Sequence, residues 1–296
     1  MKSRREIKAL AKEAIREQRG TAILLAFMVA LLTVISVGLD ELANWAIGAW
    51  AYWIVYTIGL LFLYVFGVNM AGEYIKIFKR ELADVGALFT GLKVNFFRKL
   101  GGMLWMSLWL MIWALPWVVV YSVLFALFLE GIIGDGAFIG LNLLTLPLLI
   151  PSTIKGLSYY MMTYILASAF EVKALESMRL SKRITKGHKG KLFVLGLSFI
   201  GWVLLASLPA GIFAGIAEAS IILGGGAIPG LVLQVIGYLL SGLIYILFLG
   251  PYMSTTYAGY YVELRDKAIE EYKITREELG MEEELAPEEP GPVEKA

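Results

Sequence analysis

Six long apolar runs decide most of what this 296-residue chain can become. They cover residues 21–39, 50–72, 100–129, 138–169, 192–217 and 231–261. A bilayer core about 30 Å thick takes roughly 20 helical residues, and every run is close to that length or beyond it. A soluble domain has no surface on which to hide six such runs, and an apolar fraction of 58% with a mean hydropathy of +0.72 agrees. In hydrocarbon each backbone N–H and C=O must find its partner inside the protein, which leaves helices or closed barrels. Runs of this length predict an all-α, polytopic membrane bundle of six transmembrane helices in three hairpins. The first run follows a basic segment, as a secretory signal would. It exceeds the roughly 7–15 apolar residues of a signal core, and five more follow, so it is read as a retained helix.

The basic residues then set an orientation. Of the 26 Lys and Arg, seven precede the first run, six lie between the second and third, seven between the fourth and fifth, and five after the sixth. The alternate connections, 40–49, 130–137 and 218–230, hold none; their charges are Asp40, Glu41, Glu130, Asp135 and Glu218. The bias of Lys and Arg toward the inner face predicts a multi-pass cell-membrane protein with both termini cytoplasmic. Trp45, Trp50, Trp53 and the tyrosines at 252, 257, 260 and 261 suit interfacial aromatic belts. The net charge of +1 conceals two regions: 1–262 carries 21 basic and 13 acidic residues, and 263–296 carries 5 and 12.

Each hairpin is preceded by a polar segment with apolar residues at helical spacing: Ile7, Leu10, Ala11 and Ala14; Val85, Leu88, Phe89, Leu92 and Phe96; Leu175, Met178 and Ile184. Three amphipathic lead-in helices are predicted, their stripes sunk among headgroups. The domain division is a cytoplasmic helix over 1–20, a membrane domain over 21–262 and an acidic, largely disordered tail over 263–296, which starts as a helical extension over Glu263–Tyr272 and whose later glutamates and prolines leave little to bury.

Chemistry is sparse. With no cysteine, thiolate nucleophiles, thiolate metal sites and disulfides are excluded. His188 is the one histidine, so no histidine cluster is available for a metal. Around it, Lys186, Lys189 and Lys191 with two glycines suggest a phosphate loop, but the spacing GxxxxGK[ST] is not met. The segment is assigned instead to lipid phosphate and the membrane interface, at about 1 kcal/mol per basic residue. The remaining basic residue, Lys155, follows prolines at 147 and 151 inside the fourth run. It marks an intramembrane anion site beside broken backbone, or a side chain reaching to the outer surface. Small-residue pairs at 136/140, 211/215 and 237/241 provide close helix contacts within the chain and can also join two copies of it.

The run Ser181, Lys186-Gly187-His188-Lys189, Leu192-Phe193, Ser198-Phe199-Ile200-Gly201-Trp202, with the later Pro251-Tyr252-Met253-Ser254-Thr255-Thr256-Tyr257, resembles a prokaryotic family of integral membrane proteins, domain of unknown function 975. The resemblance is concentrated in 155–262, and a turn of the Asp-Asn-Pro kind expected after the fourth helix is replaced by Ser168-Ala169-Phe170-Glu171. The family is distantly similar to the membrane domain attached to some glycerophosphodiester phosphodiesterases, which carries no catalytic residues. The resemblance implies fold and location without an activity.

The expected function is a non-enzymatic membrane protein in transport, lipid handling or envelope protection. Its expected partners are the bilayer and anionic phospholipids at the cytoplasmic face, with neither nucleic acid nor a cofactor. The rivals are an enzyme acting on lipid headgroups through His188, and a channel or permease centred on Lys155. Ser181, Tyr252, Thr255, Thr256 and Tyr257 are expected to join the His188 segment in one polar cap.

Overall fold

The computed structural model describes residues 2–222 and 227–281, and among them all regular structure is helical. Twelve α-helices follow in order: α1 (Arg4–Glu17), α2 (Arg19–Ala46), α3 (Ala49–Lys79), α4 (Ala87–Thr90), α5 (Phe96–Leu129), α6 (Asp135–Thr145), α7 (Ile150–Tyr159), α8 (Met162–Ser168), α9 (Ala174–Thr185), α10 (Lys189–Ile222), α11 (Ala227–Ile244) and α12 (Gly250–Glu270). Six spans long and apolar enough to cross a membrane arise from them. The fourth is α6 to α8 in series and the sixth is α11 and α12 joined by a π-helical stretch, Tyr245–Leu249. Proline explains the break in the fourth: Pro147 sits in a 3-10 turn, Leu146–Leu149, and Pro151 starts α7, each where its missing N–H is tolerated.

The lead-in segments depart from expectation. α1 forms as anticipated, with Ser3 closing a capping box with Glu6. Its stripe of Ile7, Ala11 and Ala14 is sealed against α12 and α3, not sunk among headgroups. The stripe of α9 is likewise enclosed: Met178, Leu180 and Ile184 are buried, and α9 packs on α5, α7 and α8. Both helices find hydrophobic cover in the protein itself. The second lead-in is a single turn, α4. Glycines at 86 and 91 flank it and Asn95 takes a left-handed φ of 53°, so Arg98 and Lys99 fall in the first turn of α5.

The tail extends the last helix as expected and differs beyond it. Residues 263–270 complete α12, and the chain then turns so that Ile274 and Leu279 are buried. Glu278 accepts from Arg183 at 2.6 Å. Two apolar anchors hold 271–281 despite the acidic composition; residues 282–296 of the predicted tail lie outside the described residues.

Of the three small-residue pairs, only 237/241 makes the predicted contact. A Cβ at Gly237 would lie 2.6 Å from that of Phe213, and the Ser241 hydroxyl accepts from the Ala210 N–H at 2.9 Å. Gly136, Gly140, Gly211 and Gly215 face open space.

Candidate functional site

Four polar segments meet in one layer at one end of the bundle. Lys2 binds Glu263 at 2.6 Å, which ties the N-terminus to α12. Gln18 donates to Glu81 O and accepts from Ala83 N, and Arg80 pairs with Glu13 and Glu17. Arg98 donates to the carbonyls of Leu166, Ala169 and Val172 at 2.6–3.0 Å, placing a guanidinium on the carbonyl end of α8. Arg183 reaches Glu278. The basic segments separated in sequence thus form a single surface.

On that surface a groove of about 540 Å³ runs between α1, α10 and the α11–α12 junction. Lys12, Arg16 and Arg19 stand along one edge; Trp202, Leu205, Phe248 and Tyr252 are among the apolar and aromatic residues facing them. Spacing by four puts Lys12 and Arg16 on one face of α1. The acidic neighbours Glu13 and Glu17 turn the other way, to Arg80. No carboxylate lines the groove, and among the described residues none of these three cations has an ion pair. Lys12 instead lies 5.8 Å from the ring centre of Tyr252. The groove wall includes the π-helical stretch, where a wider turn brings Leu247, Phe248 and Leu249 to the opening ahead of Pro251.

The residues singled out from sequence are dispersed. Lys186 and Lys191 are exposed, Lys189 is half-buried, and His188 is only 9% exposed. Burial lowers the imidazole pKa, and Lys267, Lys191 and Lys273 lower it further against an opposing Glu271. Its Nδ1 has no hydrogen-bond partner. The predicted cap is therefore divided. His188 stands near residues 267–273, whereas Tyr252 and Tyr257 pack on Phe199 at 5.5 and 5.9 Å between ring centres. Ser181 belongs to neither group: buried, it donates to Ser158 O at 2.8 Å. Thr256 bonds its own helix at Tyr252 O, and Thr255 is buried with its hydroxyl unpaired. The three-residue offset from His188 to Lys191 and the 52 residues between Phe199 and Tyr252 give no hint that helix length separates the two groups.

Lys155 is half-buried, its amine 4.4 Å from the ring centre of Trp113. Lys182, on α9, has its pKa lowered by burial first and then by Lys155 and Arg179. Lys155 thus stands beside the Trp113 ring, near enough to Lys182 for the two charges to oppose each other. The bundle interior holds a smaller cavity, about 250 Å³, lined by Tyr74, Tyr160, Tyr164, Tyr245 and Tyr257 and lacking charge. Among the described residues no group of three or more His, Asp or Glu side chains could hold a metal ion. In the sequence Lys12, Arg16 and Arg19 are merely three of the seven basic residues before the first apolar run. Their common face with Trp202 requires α10 to lie beside α1, which no local pattern shows.

No curated protein and no solved structure matches the chain. The profile of a family described as a protein of unknown function (DUF975) matches residues 1–268, so the match takes in α1 and the second hairpin as well as the 155–262 region that carried the resemblance. That span includes every element of the basic layer except the last turn after α12, and the chain belongs to the DUF975 family.

Proposed function

We propose that this DUF975 protein is a multi-pass, non-enzymatic protein of the cell membrane, with both ends cytoplasmic, that binds anionic phospholipid in the groove beside α1. The observation that carries the reading is the pairing of three cations, unneutralised among the described residues, with an apolar trough of about 540 Å³. A phospholipid has the matching chemistry, a negative phosphate on an acyl body, and it is abundant where a basic membrane face meets a leaflet. Trp202 and Tyr252 offer amphipathic rings at the boundary between head and chain. The orientation rests on the segregation of Lys and Arg, since the segments that carry them are those joined in the basic layer. Such a groove suits lipid handling or envelope maintenance.

The test is retention of lipid by protein purified from native membranes, read by mass spectrometry of the intact complex. The wild type should keep anionic phospholipid in preference to zwitterionic lipid. Replacing Lys12, Arg16 and Arg19 together by Gln should weaken retention by roughly a hundred-fold, from about 1 kcal/mol per cation. Equal retention by the triple variant would remove the groove from consideration.

A further inference from the structure

A second cavity, about 380 Å³, lies where α3, α4, α5 and α8 converge, away from the groove. We propose that it binds one oxyanion, with Lys99 as the recognising cation. The case rests on how the charges around it cancel. Five charged residues line the cavity: Glu73, Lys76, Lys79, Glu81 and Lys99. Lys76 pairs with Glu73 at 2.8 Å, and Lys79 with Glu81 at 3.5 Å. The second oxygen of Glu73 accepts from Asp84 N at 2.8 Å. Lys99 remains, and among the described residues it has no ion pair although it is only 3% exposed.

Its ammonium is held by neutral acceptors, Asn69 Oδ1 at 2.7 Å and Gly91 O at 2.9 Å. Asn69 is itself fixed, donating Nδ2 to Leu88 O at 2.9 Å, so its oxygen is committed to the lysine. An ammonium has three N–H donors, and two are occupied. A buried cation without a counter-charge is strongly disfavoured, whereas a paired and hydrogen-bonded one is tolerated. One negative charge delivered into the cavity completes the set. Its oxygen would take the third N–H; the Thr90 hydroxyl at the rim is already turned to Gly86 O, at 3.3 Å. The space equals roughly a dozen water volumes, enough for a phosphodiester headgroup or a small free phosphate or carboxylate. The backbone is shaped to this arrangement: a Cβ on Gly91 would lie 2.7 Å from the Asn69 amide and from Ala87 O.

The experiment uses the full chain in discs of neutral, zwitterionic lipid at constant ionic strength and reads the melting midpoint. One arm adds inorganic phosphate; the other replaces part of the lipid with phosphatidylglycerol. The wild type should gain about 5 °C at a roughly hundred-fold excess over the dissociation constant in at least one arm, and the arm identifies the source of the anion. Made in the Lys12, Arg16 and Arg19 triple variant, so that the groove adds nothing in the phosphatidylglycerol arm, Asn69→Asp places a carboxylate beside Lys99 within the fold and should abolish the gain, as should Lys99→Gln. Because Asn69→Asp retains size and supplies the missing charge, it distinguishes lost binding from lost folding. The Lys12, Arg16 and Arg19 triple variant should keep the gain, which separates this site from the groove. Absence of a gain in both arms, an unchanged gain in Asn69→Asp, or a gain lost only in the triple variant would overturn the proposal.

Discussion

The two ends of the bundle are packed according to different rules. Toward the basic layer, side chains from α1, α4, α8, α9 and α12 interlock: Ile7, Leu88, Ile165, Leu180, Ile184 and Leu264 are all at most 1% exposed. Toward the opposite end the helices run as hairpins with their apolar residues outward. Val34, Leu129, Leu144, Ile212 and Leu239 are each more than half exposed, and the most apolar window of α5 has no buried residue. In water such exposure would be a severe liability, but in acyl chains a leucine loses nothing by facing lipid. One end behaves as a globular core in which polar groups must be paired. The other has the apolar surface of helices suited to span a membrane, joined at a few close helix approaches.

The contrast can be broken first by truncation of one leucine-sized side chain at each end. Ile184→Ala should lower stability by about 2–5 kcal/mol through lost burial and a residual cavity. Leu208→Ala, 51% exposed on α10, should lower it by less than about 1 kcal/mol. Unfolding of the two variants in the same lipid mixture compares them directly, and equal losses would dissolve the distinction. A smaller effect tests the polar part of the packed end. Arg98→Met keeps the stem but removes the donors to three carbonyls, and should cost about 2–3 kcal/mol. A loss below about 0.5 kcal/mol, within the range of ordinary surface changes, would show that water replaces the guanidinium there without penalty.

The smallest expected effect is on pH. The folded pKa of His188 is depressed, so the unfolded chain takes up a proton before the folded one does. Stability should be full above the ordinary histidine value of about 6.5 and fall as pH drops through it toward the depressed folded value. Below that value the loss should level off. His188→Gln should flatten this part of the profile in a melting series. A wild-type midpoint that rises on acidification over the same interval would contradict the burial of this imidazole among lysines.

The lipid-facing end was almost wholly legible in the sequence because membrane spans are a local property. Twenty apolar residues announce themselves without reference to anything else, and the prolines at 147 and 151 marked the break in the fourth span. The packed end was legible only in part. The amphipathic periods of α1 and α9 were visible, but a period says that a face is buried and not by what; the same stripe suits a headgroup layer or a neighbouring helix. Composition also misjudged 271–281, where Ile274 and Leu279 outweigh the surrounding glutamates. Lys99 shows the same limit. In sequence it is half of an Arg-Lys pair before an apolar run; its isolation depends on Asn69, thirty positions earlier, and on two ion pairs formed by its neighbours.

The clasp between Lys2 and Glu263, together with the seating of α1 on α12, also bears on how the molecule is made. α1 is synthesised well before α12, its principal neighbour. Ile7, Ala11 and Ala14 must therefore wait through synthesis of some 250 intervening residues before their permanent cover exists, with an amphipathic surface that can rest on the bilayer meanwhile. Closure of the two ends is then a late event of assembly, and a nascent chain halted before residue 250 would leave its amino-terminal helix on the lipid surface.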